Sequence, residues 1–115
     1  MTNYPLVVLA DYTALNGCAI THGAWHLGQY TVVARVRLEN VILLPPPDNP
    51  FISFDSCTLI GCDLRAMSWQ HFRYCYIRRA EGDLRPDTQL PTHGDINEAR
   101  MCSIEIDPGH FHRNA

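Results

Sequence analysis

The sequence contains no lysine, no long apolar run and little helical periodicity, and each absence narrows what the chain can be. Its nine basic side chains are all arginine, and twelve acids leave a formal charge of −3. So mild an acidic balance supplies no general attraction for nucleic acid or an anionic membrane. The most apolar stretches, Leu6-Val7-Val8-Leu9-Ala10 and Leu38 to Leu44, are too short to cross about 30 Å of hydrocarbon, and the second contains Glu39 and Asn40. No membrane partner is expected. Gly-x-Ser-x-Gly, a phosphate-binding glycine loop and a Cys-x-x-Cys pair are also missing, so the sequence assigns no catalytic residue and no cofactor.

What is present fits one folded domain. With 115 residues, a second core would leave each half too small to fold without staples. Hydrophobic residues make up 46% and charged ones 18%, the balance of a globular chain rather than a disordered one. The five cysteines are an odd number, and the start Met1-Thr2-Asn3-Tyr4-Pro5 has no secretory character. Reduced thiols in a cytoplasmic protein are therefore expected.

The apolar segments are short and rich in β-branched and aromatic residues: Tyr30 to Leu38, Phe51 to Phe54 and Phe72 to Ile77. They predict strands. Pro45-Pro46-Pro47-Asp48-Asn49-Pro50 lacks ladder donors at its prolines and predicts a corner between strands. Gly82 to Gly94, with Pro86, Pro91 and several acids, reads as a surface excursion, bounded overall at 80–98. A single helical turn is expected at Asp95 to Arg100, where Asp95 caps and Glu98 stands three residues on. Residues 107–115 read as a short C-terminal tail.

A short pattern recurs around the cysteines: Leu15-Asn-Gly-Cys18-Ala-Ile20, Leu38-Glu-Asn-Val41-Ile-Leu43, Phe54-Asp-Ser-Cys57-Thr-Leu59, Phe72-Arg-Tyr-Cys75-Tyr-Ile77 and, more weakly, Ala99-Arg-Met-Cys102-Ser-Ile104. Each unit is apolar, two residues, Cys or Val, one residue, then Ile or Leu. On a strand, positions four and six of the unit share a face, and stacked coils bring equivalents about 4.8 Å apart. One coil cannot bury a core alone, whereas a stack can. The pattern predicts a solenoid of about five coils with an internal cysteine ladder of Cys18, Val41, Cys57, Cys75 and Cys102.

The stretch Ile52-Ser-Phe54-Asp-Ser-Cys57-Thr-Leu59-Ile-Gly-Cys62-Asp-Leu64-Arg-Ala-Met67-Ser-Trp69 resembles pentapeptide-repeat proteins. Its central positions are Phe54, Leu59, Leu64, Trp69 and Tyr74, with Ile52, Cys57, Cys62, Met67 and Phe72 two residues before each. The resemblance is local to residues 52–77 and implies a right-handed parallel β-helix; it is carried over for fold alone. The expected class is thus all-β, with an antiparallel barrel or sandwich as the alternative. Only Asn16-Gly17 supplies the hairpin turn that the alternative needs.

Several groups of residues invite chemistry. His110 and His112 alternate beside Asp107, a spacing that suits a metal, but they sit in the expected tail and no metal site is assigned. His22 and His26 flank Trp25, yet Gly23 and Gly28 argue against the helix that would bring them together. Cys62 falls outside the longer repeat, and an acid pair from Asp48, Asp55 or Asp63 would need neighbouring coils to form. From Arg65 to Arg79 arginines occur with no acid between them, interleaved with aromatic residues. Arg65, Trp69, Arg73, Tyr76, Arg78 and Arg79 are the predicted contact residues, since arginine and aromatics anchor protein interfaces.

The expected function is a non-catalytic binding protein acting through a macromolecular interface, as an accessory or inhibitor protein. Its partner is another protein or a second copy, because a short solenoid has two open ends. Leu6 to Ala10 and the excursion through Arg100 are the segments available to cap them. The alternatives are a small enzyme or ligand-binding domain with a groove along the coils, and nucleic-acid binding through the arginine and aromatic patch.

Overall fold

Backbone of positive φ recurs five residues apart, at Tyr12, Gly17 and His22, again at Tyr30, Arg35 and Asn40, and again at Ser56 and Gly61. Each such residue turns the chain sharply between short extended pieces, and in the later coils the next side chain is delivered inward. This holds for Val36, Val41, Cys57, Cys62, Cys75 and Cys102, all of which are buried. The computed structural model, which describes residues 5–47, 51–78, 89–107 and 110–113, is accordingly an all-β solenoid of about four turns. No helix among these residues is long and apolar enough to cross a membrane.

Eleven strands are described: β1 (Leu6–Val8), β2 (Ala14–Asn16), β3 (Ala19–His26), β4 (Thr31–Ala34), β5 (Arg37–Leu44), β6 (Ile52–Asp55), β7 (Thr58–Ile60), β8 (Phe72–Arg73), β9 (Tyr76–Arg78), β10 (Ser103–Asp107) and β11 (His110–Arg113). They form a seven-stranded sheet in the order β1-β3-β5-β7-β9-β10-β11 and a four-stranded sheet in the order β2-β4-β6-β8. Every neighbouring pair is parallel except β10 with β11, which is antiparallel. The segment expected as a tail thus contains a strand. The parallel pairing decides against the barrel and the sandwich.

The register places one unit of the repeat a face away from its expected position. Leu15 pairs with Val33, Val33 with Phe54 and Phe54 with Phe72. The amides of Arg37, Thr58, Tyr76 and Ser103 donate to the carbonyls of Cys18, Val36, Cys57 and Cys75 in turn. Val36 therefore holds the place expected for Val41. Val41 itself pairs with Gly23, and the adjoining bridge from Ile42 to Asp63 sets it beside Cys62. Both Val33-x-x-Val36-x-Leu38 and Leu38-x-x-Val41-x-Leu43 satisfy the same pattern, because a motif of period five reappears on the next face.

The pentapeptide register holds at Ile52, Phe54, Cys57, Leu59, Cys62, Leu64, Met67, Trp69 and Phe72, all buried, and fails at Tyr74, which is 53% exposed. A 3-10 turn at Trp69–His71 shifts the frame there, so that Phe72 takes the central site under Phe54 and Tyr74 becomes a corner at φ 56°. The expected turn after Asp95 is also present as a 3-10 turn, Ile96–Glu98. The Asp95 carboxylate accepts from the Asn97 amide, and Glu98 accepts from the Asp95 amide. Gln89 and His93, placed by sequence in the excursion, bridge in parallel to Asp63 and Ser68 and so continue the stack. Residues 79–88 lie outside the described residues, as do 48–50. Gly28 meets a steric demand: a Cβ there would stand 2.5 Å from the Ala10 carbonyl oxygen of the neighbouring coil.

Candidate interaction surfaces

The residues predicted as one contact patch are distributed over the fold. Trp69 is 6% exposed and belongs to the core, because the 3-10 turn folds its ring inward. Arg65 stands at a corner and makes a two-toothed contact with Asp63, Nε to Oδ1 at 3.0 Å and Nη2 to Oδ2 at 2.8 Å. Arg73, on β8 of the four-stranded sheet, reaches across to Asp55 at 3.0 Å. Tyr76 and Arg78 lie on β9 of the seven-stranded sheet, where the Tyr76 hydroxyl donates to Glu105 at 3.1 Å. Arg79 lies outside the described residues.

These pairings fix the electrostatics. Arg65 holds the Asp63 carboxyl below its ordinary range, and the Ser56 hydroxyl together with Arg73 does the same for Asp55. Both groups remain carboxylates at neutral pH, which suits ion pairing and leaves neither as a proton donor. Burial, followed by the hydrogen bond to Glu105, pushes the Tyr76 phenol up. Arg65 also borders a groove of about 350 Å³ with Ile42, Leu43, Leu44, Asp63 and Ala66.

Four of the five thiols are packed inside the stack. Cys57, Cys62, Cys75 and Cys102 are buried, whereas Cys18 on the first coil is exposed. Each buried thiol donates to the carbonyl two residues before it, that of Asp55, Ile60, Arg73 or Arg100. Cys57, Cys62 and Cys75 also reach a carbonyl of the preceding coil, at Val33, Leu38 and Phe54. A small side chain that can satisfy a carbonyl turned inward at a corner explains why cysteine recurs there. Hydrogen bonds with Cys102 and Cys57, with burial, push the Cys75 thiol up. Among the described residues, no three His, Cys, Asp or Glu side chains converge as a metal would require.

A different surface emerges at the corner that precedes the four-stranded sheet. Tyr12 stacks on Tyr30 with ring centroids 4.9 Å apart and planes 3° apart, and Tyr30 stacks on Phe51 at 5.3 Å and 5°. All three are exposed, at 75%, 47% and 67%. Beside them the outward side chain of Val32 is also exposed, and Tyr30, Thr31, Val32, Phe51, Ile52 and Ser53 line a groove of about 180 Å³. Sequence reasoning missed this column. Its signal is an aromatic residue three places before the first position of a repeat, in Tyr12-x-x-Leu15, Tyr30-x-x-Val33 and Phe51-x-x-Phe54. Trp69-x-x-Phe72 matches as well, yet the 3-10 turn takes that ring inside. No protein-family model, no curated protein and no solved structure matches the chain.

Proposed function

We propose that this protein is a non-catalytic binding module that engages another protein along the column Tyr12, Tyr30 and Phe51. The observation that carries the reading is the continuous run of stacked, solvent-facing rings joined to the exposed Val32. Rings held by one another have already lost their rotamer freedom, so little further ordering is needed on contact. Aromatic side chains are also those that most often dominate binding energy. The arginines weigh less in this reading, since Arg65 and Arg73 are each engaged by an aspartate and present little unmatched charge to a phosphate.

Three finer features belong to the same reading. The five-residue spacing of the corners supports a right-handed winding of the pentapeptide-repeat kind. The contact of the Cys75 amide with the Cys102 sulfur at 3.4 Å supports a cysteine ladder through the later coils. A cytoplasmic setting keeps its thiols reduced. An accessory or inhibitor protein is the role that such a module fills.

A photo-crosslinking residue placed at Tyr30, compared with one at Arg65, tests the reading in the cells that express the protein. We expect a discrete adduct from the Tyr30 position that is lost on Val32→Glu. Adducts from Arg65 alone would move the interface to the arginines and refute the column as the contact surface.

A further inference from the structure

Among the described residues the first coil is covered on one side only. β1 is the outer strand of the seven-stranded sheet and β2 the outer strand of the four-stranded sheet. The first half of β3, Ala19–Thr21, pairs with β5, whereas β1 covers only Ala24–His26 of that strand. Three stretches of strand edge thus face the same end of the stack. The interior side chains of this coil share the exposure: Leu9, Leu15 and Ile20 are only partly buried, and Cys18 is exposed. The opposite end differs, because the antiparallel β11 covers β10, and Ala99, Cys102 and Ile104 are buried.

Exposed strand edges in proteins that stay monomeric are commonly guarded by lysine, by inward-pointing charge, by proline or by a bulge. Among the described residues this end has few of these devices, Pro5 just before β1 being one. Asp11 is the sole Asp, Glu or Arg from Pro5 to Ala34. The outward side chains of β1, Leu6 and Val8, are apolar and exposed at 65% and 71%. Apart from Asp11 and the imidazoles of His22 and His26, this end has no acid or base that is charged near neutral pH, so a strongly charged partner finds little to pair with. It does suit its own copy, because a two-fold contact places the patch against itself, and a patch with little charge meets no like-charge repulsion there.

We propose that a second copy of this chain docks on the first coil, end to end, with β1 antiparallel to β1 of the partner. A two-fold axis normal to the strand requires that direction, and antiparallel pairing completes the hydrogen bonds of both edges. The half-buried Leu9, Leu15 and Ile20 of each copy then close one core across the junction, and the outer face of the Tyr12 ring is brought to the same boundary. This surface is the open end of the stack, distinct from the flank of the aromatic column on which the proposed function rests.

Sedimentation of the full chain across a concentration series provides the test, with Leu6→Lys/Val8→Lys as the breaking variant. Both side chains are exposed, so the fold persists, and circular dichroism checks that it does. We expect a dimer whose dissociation constant rises about tenfold or more in the variant, as four like charges meet across the paired strands. A nitroxide on Cys18, the exposed thiol, reports a defined distance between labels in the dimer and none in the variant. A chain that stays monomeric throughout overturns the proposal. So does a dimer that survives Leu6→Lys/Val8→Lys but is lost on Phe51→Lys, an outcome that assigns self-association to the aromatic column instead.

Discussion

The first coil and the later coils use the same inward positions, yet they bury them to different degrees. Ile20, Leu38, Leu59, Ile77 and Ile104 form one column through the register of β3, β5, β7, β9 and β10. The last four are buried, while Ile20 is only partly so. Residue type and backbone are shared, so what differs is the neighbour on each side. In a solenoid the core is a property of stacking, and a coil covered on one side leaves a deficit that only another layer can fill.

The largest test of this contrast applies one substitution at two points of the column. Ile77→Ala should cost about 2–5 kcal/mol, the range for truncating a fully enclosed side chain. Ile20→Ala should cost less than half as much under conditions where the chain is monomeric, since its site is already open. Denaturant unfolding of the two variants measures the difference, and equal costs would show that the first coil is as enclosed as the rest.

Next in size is the corner thiol. Cys57→Val adds a methyl group to a tight site and removes a donor from the Val33 and Asp55 carbonyls, so a loss of about 1–3 kcal/mol is expected. Cys18→Val, in the equivalent but exposed place, should stay within about 0.5 kcal/mol of the parent. Thermal melting of the pair distinguishes a packing role for the thiol from a general preference for cysteine in the motif.

The corners allow a change of opposite sign. Gly17 and Met101 occupy equivalent left-handed corners, at φ 70° and 58°. Gly17→Ala should destabilise and Met101→Gly should stabilise, each by about 1 kcal/mol, because a Cβ in this conformation crowds the following carbonyl. Chemical unfolding reads both.

The smallest effect concerns Asp55 and Asp63. Both carboxyl groups are held below the ordinary value in the folded protein, so their contribution to stability is complete above the unfolded value near 3.8 and is lost as pH falls through the lowered folded value. The pairs are partly exposed, so Asp55→Asn should cost less than about 1 kcal/mol at pH 7. The difference from the parent should vanish near pH 2, as urea titrations at the two pH values would show.

Much of the fold was legible because the inward residues obey a rule of spacing. Cys57, Cys75 and Cys102 are buried as the repeat predicts, whereas Cys18, expected inside with them, is exposed, and Asp95 caps the turn expected after it. Val41 was misplaced for a reason built into the pattern, since a five-residue motif fits two adjoining faces equally well. The contact surface was less legible. Arg65, Arg73 and Tyr76 lie near one another in sequence, but successive faces of a coil point them in different directions. Asp55, the partner of Arg73, comes from the preceding coil.

The lack of helical periodicity and the short β-branched and aromatic segments were enough to determine an all-β chain, and a short motif returning around cysteine favoured a stack over a barrel or sandwich. Those features act within a few residues, through backbone preference and side-chain alternation. Only the tertiary structure decided which coil lies against which. That register joined Tyr12, Tyr30 and Phe51 into one column, closed Trp69 into the core and, among the described residues, left the first coil covered on one side only. Such contacts depend on loop lengths and on the 3-10 turn at Trp69–His71, which reset the frame between coils and leave the local motif unchanged.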